Sequence, residues 1–332
     1  MDRVRSSNSN CIALTLLNMS VVSEDAMKTI LAPLMLSALF CLPSSIVAAQ
    51  QAFKTPEEAA SALVNAAKVG DKKELVNVLG PDGADIVSSG DEVADATTRR
   101  NFVSAFGAKH SIALDGDNKA NIVIGEEDFP IPIPLIRKNG LWRFDTAAGR
   151  QEILARRIGK NELDAIQAAL AYVDAQHDYA EKDRTGAGAG VYAQRITSQP
   201  GKRDGLYWPT SQDEEASPLG ELFAQAAAQG YKVGADRAPF HGYYFKILTK
   251  QGAEAPDGVF DYVVRGRMIG GFALVAYPAE YGNSGVMTFM VNYSGSIFQK
   301  DLGPDTTRVA ERMTSFNPDK TWKKVSDTDP VR

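Results

Sequence analysis

Residues 111–145 read SIALDGDNKANIVIGEEDFPIPIPLIRKNGLWRFD, and the change of period inside them decides the fold class. Ser111–Leu114 and Ala120–Ile124 carry the two-residue period of half-buried strands. Asp115-Gly116-Asp117-Asn118 between them has turn chemistry. Ile131–Arg137 continues as a strand, but Pro130, Pro132 and Pro134 remove backbone donors and confine it to an edge or irregular position. Lys138-Asn139-Gly140-Leu141 is the strongest hairpin signal, because Asn-Gly adopts the positive φ that a tight two-residue loop demands. It leads into Leu141–Asp145.

Working outward, the period upstream is helical. Thr55 is a good N-cap, Pro56 suits the first helical position, and Glu57 and Glu58 complement the helix dipole. Ala59, Ala60, Leu63, Val64 and Ala67 form an apolar face that Gly70 ends. A second helix runs from Lys72 to Leu79 and a third from Asp91 to about Ala105, with Phe102 and Phe106 inward. Downstream, Glu162 to about Lys182 is the longest helix, starting at Gly159 or Asn161, with Leu163, Ile166, Leu170, Val173 and His177 near one face. The Gly-rich run Asp183–Gly190 follows a helix rather than a strand and opens no helix, so it reads as a linker or turn and not a phosphate loop. Leu219–Gln229 is a short helix; Gly242–Leu248 and Gly271–Pro278 are strands; Val286–Asn292 and Ser296–Lys300 form a hairpin. Trp322 docks a polar tail.

These elements predict an α+β chain of two domains, each with helices plus antiparallel sheet. Residues 1–49 form a leader, 50–160 an N-terminal domain, 161–322 a C-terminal domain of long helix plus sheet, and 323–332 a tail. The leader reading rests on Met27 onward: Lys28, an apolar run from Ile30 to Leu42, then the small-residue cleavage signal Val47-Ala48-Ala49. The run is shorter than the ~20 residues a bilayer span needs. Cys11 and Cys41 are the only cysteines, so removing the leader leaves no thiol, disulfide or cysteine ligand. Phe40 and Leu42-Pro43 do not suit a lipidation site at Cys41. A net charge of -5 lacks the basic face of a nucleic-acid binder. The expected location is periplasmic or secreted, with no stable membrane insertion once the leader is gone.

Asp204-Gly205-Leu206-Tyr207-Trp208-Pro209, His241-Gly242-Tyr243-Tyr244, Gly271–Pro278 and Asn283–Phe289 together resemble DUF2950, an exported bacterial "domain of unknown function" family. The resemblance runs from about Phe53 to Trp322. It implies an exported protein and carries no established activity. The N-terminal half is similar in element order to cone-shaped ligand-cavity folds of the nuclear-transport-factor type. The C-terminal half looks like a pilin-type headgroup, although the charged residues of its helix (Glu162, Asp164, Asp174, Asp178) give no licence for fibre assembly.

No catalytic motif stands out. His110, His177 and His241 share neither HxH nor HExxH spacing, and no Gly-x-Ser-x-Gly elbow is present. Glu126-Glu127-Asp128 lacks the spacing of a calcium loop and reads as a solvated turn. We therefore expect no cofactor and no metal. The best binding lead is aromatic: Tyr207, Trp208, His241, Tyr243, Tyr244 and Tyr281 fall in or beside turns of the C-terminal domain, where large rigid rings with polar tips suit recognition. Tyr243 and Phe245 share one strand face and Tyr244 takes the other, so some of this set also suits a sheet core. The function expected is a non-enzymatic binding module of the cell envelope, its partner an envelope protein or a small ligand. The alternative is a small-molecule binder or hydrolase with a cavity in the N-terminal domain, lined by Trp142 and Phe144. Intact mass of the protein purified from fractionated cells tests the leader: the mature chain should begin at Gln50 and be unreactive to thiol reagents, whereas a cytosolic species retaining residues 27–49 contradicts it.

Overall fold

The first helix forms where the sequence sets its signals. α1 (Pro56–Val69) is capped by the Thr55 hydroxyl, which accepts from the Glu58 N–H at 3.1 Å, and it ends at Gly70 with φ +76°. Such a cap is worth about 1 kcal/mol. α2 (Lys72–Leu79), a short 3-10 turn, α3 (Ala84–Val87) and α4 (Glu92–Ala108) follow, with Asp71 and Asp91 capping α2 and α4. The computed structural model describes residues 50–211, 213–232 and 238–326. The leader lies outside them.

β1 (His110–Leu114), β2 (Lys119–Ile124), β3 (Phe129–Pro130), β4 (Leu135–Lys138) and β5 (Leu141–Phe144) make one antiparallel sheet. Its order is β1-β2-β4-β5, with β3 beside β2. Asn139 and Gly140, at φ +53° and +79°, close the β4–β5 hairpin with Lys138 opposite Leu141. The proline stretch cuts the expected strand Ile131–Arg137 back to β4, with the short β3 forming ahead of it. Ala120, Ile122 and Ile124 alternate inward along β2 and join Phe53, Leu63, Trp142 and Phe144 in the first core.

α5 (Thr146–Glu181) has 36 residues and departs most from the expected pattern. It begins not at Gly159 or Asn161 but after Asp145, whose carboxylate accepts from the Ala148 N–H at 3.3 Å. Gly159 sits inside it with nothing within 4 Å of a virtual Cβ. A lone helical glycine costs only about 1 kcal/mol, and α5 offsets that by packing on both halves of the protein. Gly149 approaches the Pro132 carbonyl and Ile133, while Ala165, Ala169, Tyr172 and Val173 enter the second core.

That core is built on α6 (Gly220–Gln229), β6 (Tyr243–Leu248), β7 (Lys250–Gln251), β8 (Phe260–Asp261), β9 (Val263–Val264), β10 (Arg267–Met268) and β11 (Ala273–Pro278). β12 (Met287–Asn292), β13 (Ile297–Asp301), α7 (Thr306–Arg312), β14 (Ser315–Phe316) and β15 (Lys323–Lys324) complete it. The main sheet is antiparallel, in the order β15-β13-β12-β11-β6. Every residue of β11 is buried, because this central strand meets α5 as well as α7 and β14; an unbroken apolar run is what such double cover requires. Gln176, fully buried, pins the next segment by exchanging 2.8 Å hydrogen bonds with the Ala193 N–H and carbonyl. Trp322 packs on this core, and β15 carries the chain back onto the sheet just beyond it. The protein is thus α+β, with no described helix long and apolar enough to cross a membrane.

The two glycines of α5 give opposite expectations. Gly149→Ala would push a methyl within 2.5 Å of the Pro132 carbonyl oxygen and should destabilise by about 1–3 kcal/mol. Gly159→Ala should stabilise by about 0.5–1 kcal/mol. Urea denaturation of both variants checks this; destabilisation by Gly159→Ala would mean that the helix is interrupted there.

Candidate functional site

The two cores meet along a seam of buried polar groups supplied by α4, α5 and two turns of the C-terminal lobe. Asp91, only 1% exposed, works in both directions. Its Oδ1 caps α4 by accepting from the Val93 and Ala94 N–H groups at 3.1 and 3.0 Å. Its Oδ2 accepts from the Tyr231 hydroxyl at 2.8 Å and the Gly242 N–H at 2.9 Å. Burial, then Asp91, push the Tyr231 phenol up from its ordinary value.

α5 answers from the other side. Arg157 donates to the Asp85 and Ile86 carbonyls at 2.7 and 2.5 Å and to Asn283 Oδ1 at 2.5 Å. Burial lowers its guanidinium from the ordinary value, against the opposing pull of Asp95, Asp85 and Glu280. Asn283 donates in turn to the Ser88 carbonyl at 2.9 Å and to Glu280 Oε2 at 2.7 Å. One helical turn on, Asn161 donates to the Ser284 carbonyl at 2.9 Å. Glu162 Oε1 accepts from the Val286 and Met287 N–H groups at 3.0 and 2.9 Å. Burial raises the Glu162 carboxyl, and these two backbone hydrogen bonds only partly oppose it. His241, at φ +49°, sets Nδ1 3.1 Å from Asp164 Oδ2, which also pairs with Lys160 at 2.5 Å. Burial raises the Asp164 carboxyl, but the hydrogen bonds from His241 and Lys160 outweigh it and hold the group below its usual value.

Two glycines permit this closeness. A Cβ on Gly242 would lie 2.6 Å from Asn161 Nδ2, and one on Gly285 2.2 Å from the Tyr243 hydroxyl. The phrases around His241 and Asn283 therefore meet at the seam.

Beside the seam lies a cavity of about 720 Å³. α5 presents Ile153, Arg156, Arg157, Lys160 and Asn161 to it at helical spacing, and α4 presents Asp95, Thr98, Arg99 and Phe102. Leu63, Leu75, Ile86 and Ile133 form its apolar wall; Tyr231 and His241 reach it from the C-terminal lobe. Arg99 Nη1 is shut off from solvent without a hydrogen-bond partner. Asp95 is held by the Ser89 N–H and hydroxyl. The wall is mostly apolar with a few polar groups, as in small-molecule sites.

The six aromatic-lead residues go to separate places. His241 lines the cavity. Tyr243 is in the core, its hydroxyl donating to the Met287 carbonyl at 2.9 Å. Trp208 is buried beneath Arg184 and Arg203. Tyr207 stacks on Phe223 with centroids 4.1 Å apart. Tyr244 packs on Tyr277 and lines a separate pocket of about 520 Å³. Tyr281 donates to Asp301 at 3.2 Å. Trp142 and Phe144 belong to the first core and do not line the cavity. Glu126-Glu127-Asp128 turns between β2 and β3, with Asp128 paired to Lys109 at 2.8 Å. Among the described residues no cluster of three or more candidate metal ligands occurs. Asp91, Arg99, Arg157 and Tyr231 were not singled out from sequence. The helical spacing of Ile153, Arg156, Arg157 and Lys160 is the signal that would have found the α5 face.

A family model described as "Protein of unknown function (DUF2950)" matches residues 50–325. No curated protein and no solved structure matches the chain, so the pilin and transport-factor likenesses find no counterpart there.

Glu162 supplies a pH test. A folded-state carboxyl raised above its unfolded value contributes stability below the unfolded value, and that contribution is lost as pH rises through the folded one. Glu162→Gln keeps an oxygen acceptor but does not titrate. Its stability relative to the parent should therefore improve from pH 4 to pH 7 in urea denaturation; a constant or reversed difference would rule out the raised carboxyl.

Proposed function

The chain belongs to the DUF2950 family of proteins of unknown function, and from that premise we propose that it is an exported, non-enzymatic binding module of the bacterial cell envelope whose ligand occupies the cavity beside the seam. The single observation that carries this reading is that cavity. It has the volume and the mostly apolar wall of a small-molecule site, with a few polar groups among its lining. Export is supported by the leader pattern from Met27 to Ala49.

The chemistry around the cavity favours binding over turnover. The three histidine rings rest on the Phe106 carbonyl, the Tyr293 carbonyl and the Asp164 carboxylate. A histidine that activates a nucleophile instead faces a hydroxyl or thiol within hydrogen-bond reach. A protein partner held by the aromatic turns has less support, because Trp208 and Tyr243 are interior.

The test uses N-phenylnaphthylamine, a neutral dye that brightens in apolar sites, with the purified protein. One site per chain is expected. Thr98→Trp, on the exposed face of α4 that borders the cavity, should weaken binding at least about tenfold, roughly 1.4 kcal/mol, while leaving the thermal midpoint near that of the parent. No dye binding by the parent, or equal binding by a folded Thr98→Trp variant, would overturn the reading.

A further inference from the structure

We infer that the ligand is a monoanionic amphiphile, an apolar body carrying one carboxylate-like head that docks on Arg99; this rests on the cavity reading above. The inference comes from following each charge around the wall. Four cations line the cavity: Arg99, Arg156, Arg157 and Lys160. Arg156 pairs with Glu152 at 2.7 Å and Lys160 with Asp164 at 2.5 Å. Arg157 is taken up by the Asp85 and Ile86 carbonyls and by Asn283, with the negative charge of Asp95 nearby. Asp95 is in turn fixed by Ser89. Arg99 has no such relief among the described residues: no carboxylate pairs with it, and its Nη1 is out of contact with water and unbonded.

A buried donor without an acceptor is unfavourable, the more so when the group is charged. Arg99 lines the cavity, and an acidic head brought against its guanidinium would supply the acceptor it lacks. Arg99 passes the C-terminus of α1 at Gly70, where a Cβ would stand 3.6 Å from its Nε. The planar guanidinium fork matches a carboxylate by two parallel hydrogen bonds. One uncompensated cation calls for one negative charge, and the protein as a whole is acidic at net -5, so this positive spot is local. The remaining wall fixes the other half of the ligand. Leu63, Leu75, Ile86, Phe102, Ile133 and Ile153 offer no hydrogen bonds, so a polar body would lose its own hydration without replacement.

The experiment displaces N-phenylnaphthylamine from the delipidated protein with decanoate, decanol and decyltrimethylammonium, each below its micelle concentration. Decanoate should bind about tenfold or more tighter than decanol, and the cation weakest. Arg99→Met should still bind the dye but lose the preference for decanoate over decanol, and Arg99→Lys should keep part of it. Dye binding by Arg99→Met shows that fold and cavity are intact, so the variant remains informative. Equal affinity for acid and alcohol, preference for the cation, or an undiminished acid preference in Arg99→Met would each overturn the inference while leaving the cavity reading standing. Failure of the parent to bind the dye overturns both. Organic extraction of protein purified from its own cells separates the sources by mass: a free carboxylic acid or a monoanionic phospholipid each supports the charge rule, and a neutral or cationic amphiphile contradicts it.

Discussion

The rest of the structure depends on a half-buried guanidinium. Arg157 lies a third of the way along α5, where that helix passes from one core to the other. Withdrawing part of such a charge from water is costly unless hydrogen bonds replace its hydration. The protein supplies them from both lobes: two carbonyls at the end of α3 and the Asn283 side chain from the β11–β12 turn. Both lobes must be in place for Arg157 to be satisfied. The same logic extends outward through Asn283 to Ser88 and Glu280, and in parallel through Asp91 to Tyr231 and Gly242. A half-satisfied network of this kind is worse than an apolar contact, so these bonds specify one arrangement of the lobes and do more for uniqueness than for net stability.

How much of this was legible follows the range of each signal. Caps and turns are local: Thr55, Gly70 and Asn139-Gly140 sit where their chemistry predicts, and the structure uses them so. Long apolar or alternating runs were equally plain, as in β2, β11 and β12. Local rules fail where tertiary packing overrides them. Gly159 and Asn161 resemble a helix start, yet α5 runs through them because burial on both sides exceeds the cost of one glycine. The two-residue strands β7 to β10 and β14 are held by neighbours and have no period to detect. Asp91 stands in the sequence only as the start of a helix, since nothing local announces that its second oxygen serves Gly242, a residue far away in the chain.

The candidate site was less legible than the fold for the same reason. Aromatic rings in turns look alike in sequence whether they face a partner or a core. Tyr243 and Trp208 face the core, and only His241 of that set reaches the cavity. The cavity instead draws on α1, α4 and α5 together, and its polar side is defined by which charges have partners. Partnering is a property of the folded chain alone. Glu152 and Asp164 are spaced to neutralise Arg156 and Lys160 along α5, but that Arg99 is left over emerges only when the three helices are assembled.

Magnitudes then divide the work between the two sides of the cavity. Each 100 Å² of apolar ligand surface withdrawn from water contributes about 2.5 kcal/mol. A hydrogen bond to a charged group contributes about 1.5–3 kcal/mol net. For any ligand that fills a useful part of the cavity, affinity comes chiefly from the apolar wall, and Arg99 sets selection among molecules of similar size. The arrangement discriminates through the asymmetry of buried charge. An acid satisfies Arg99, an alcohol does so poorly, and a cation adds a repulsion that the helix-borne pairs around it are already too committed to relieve.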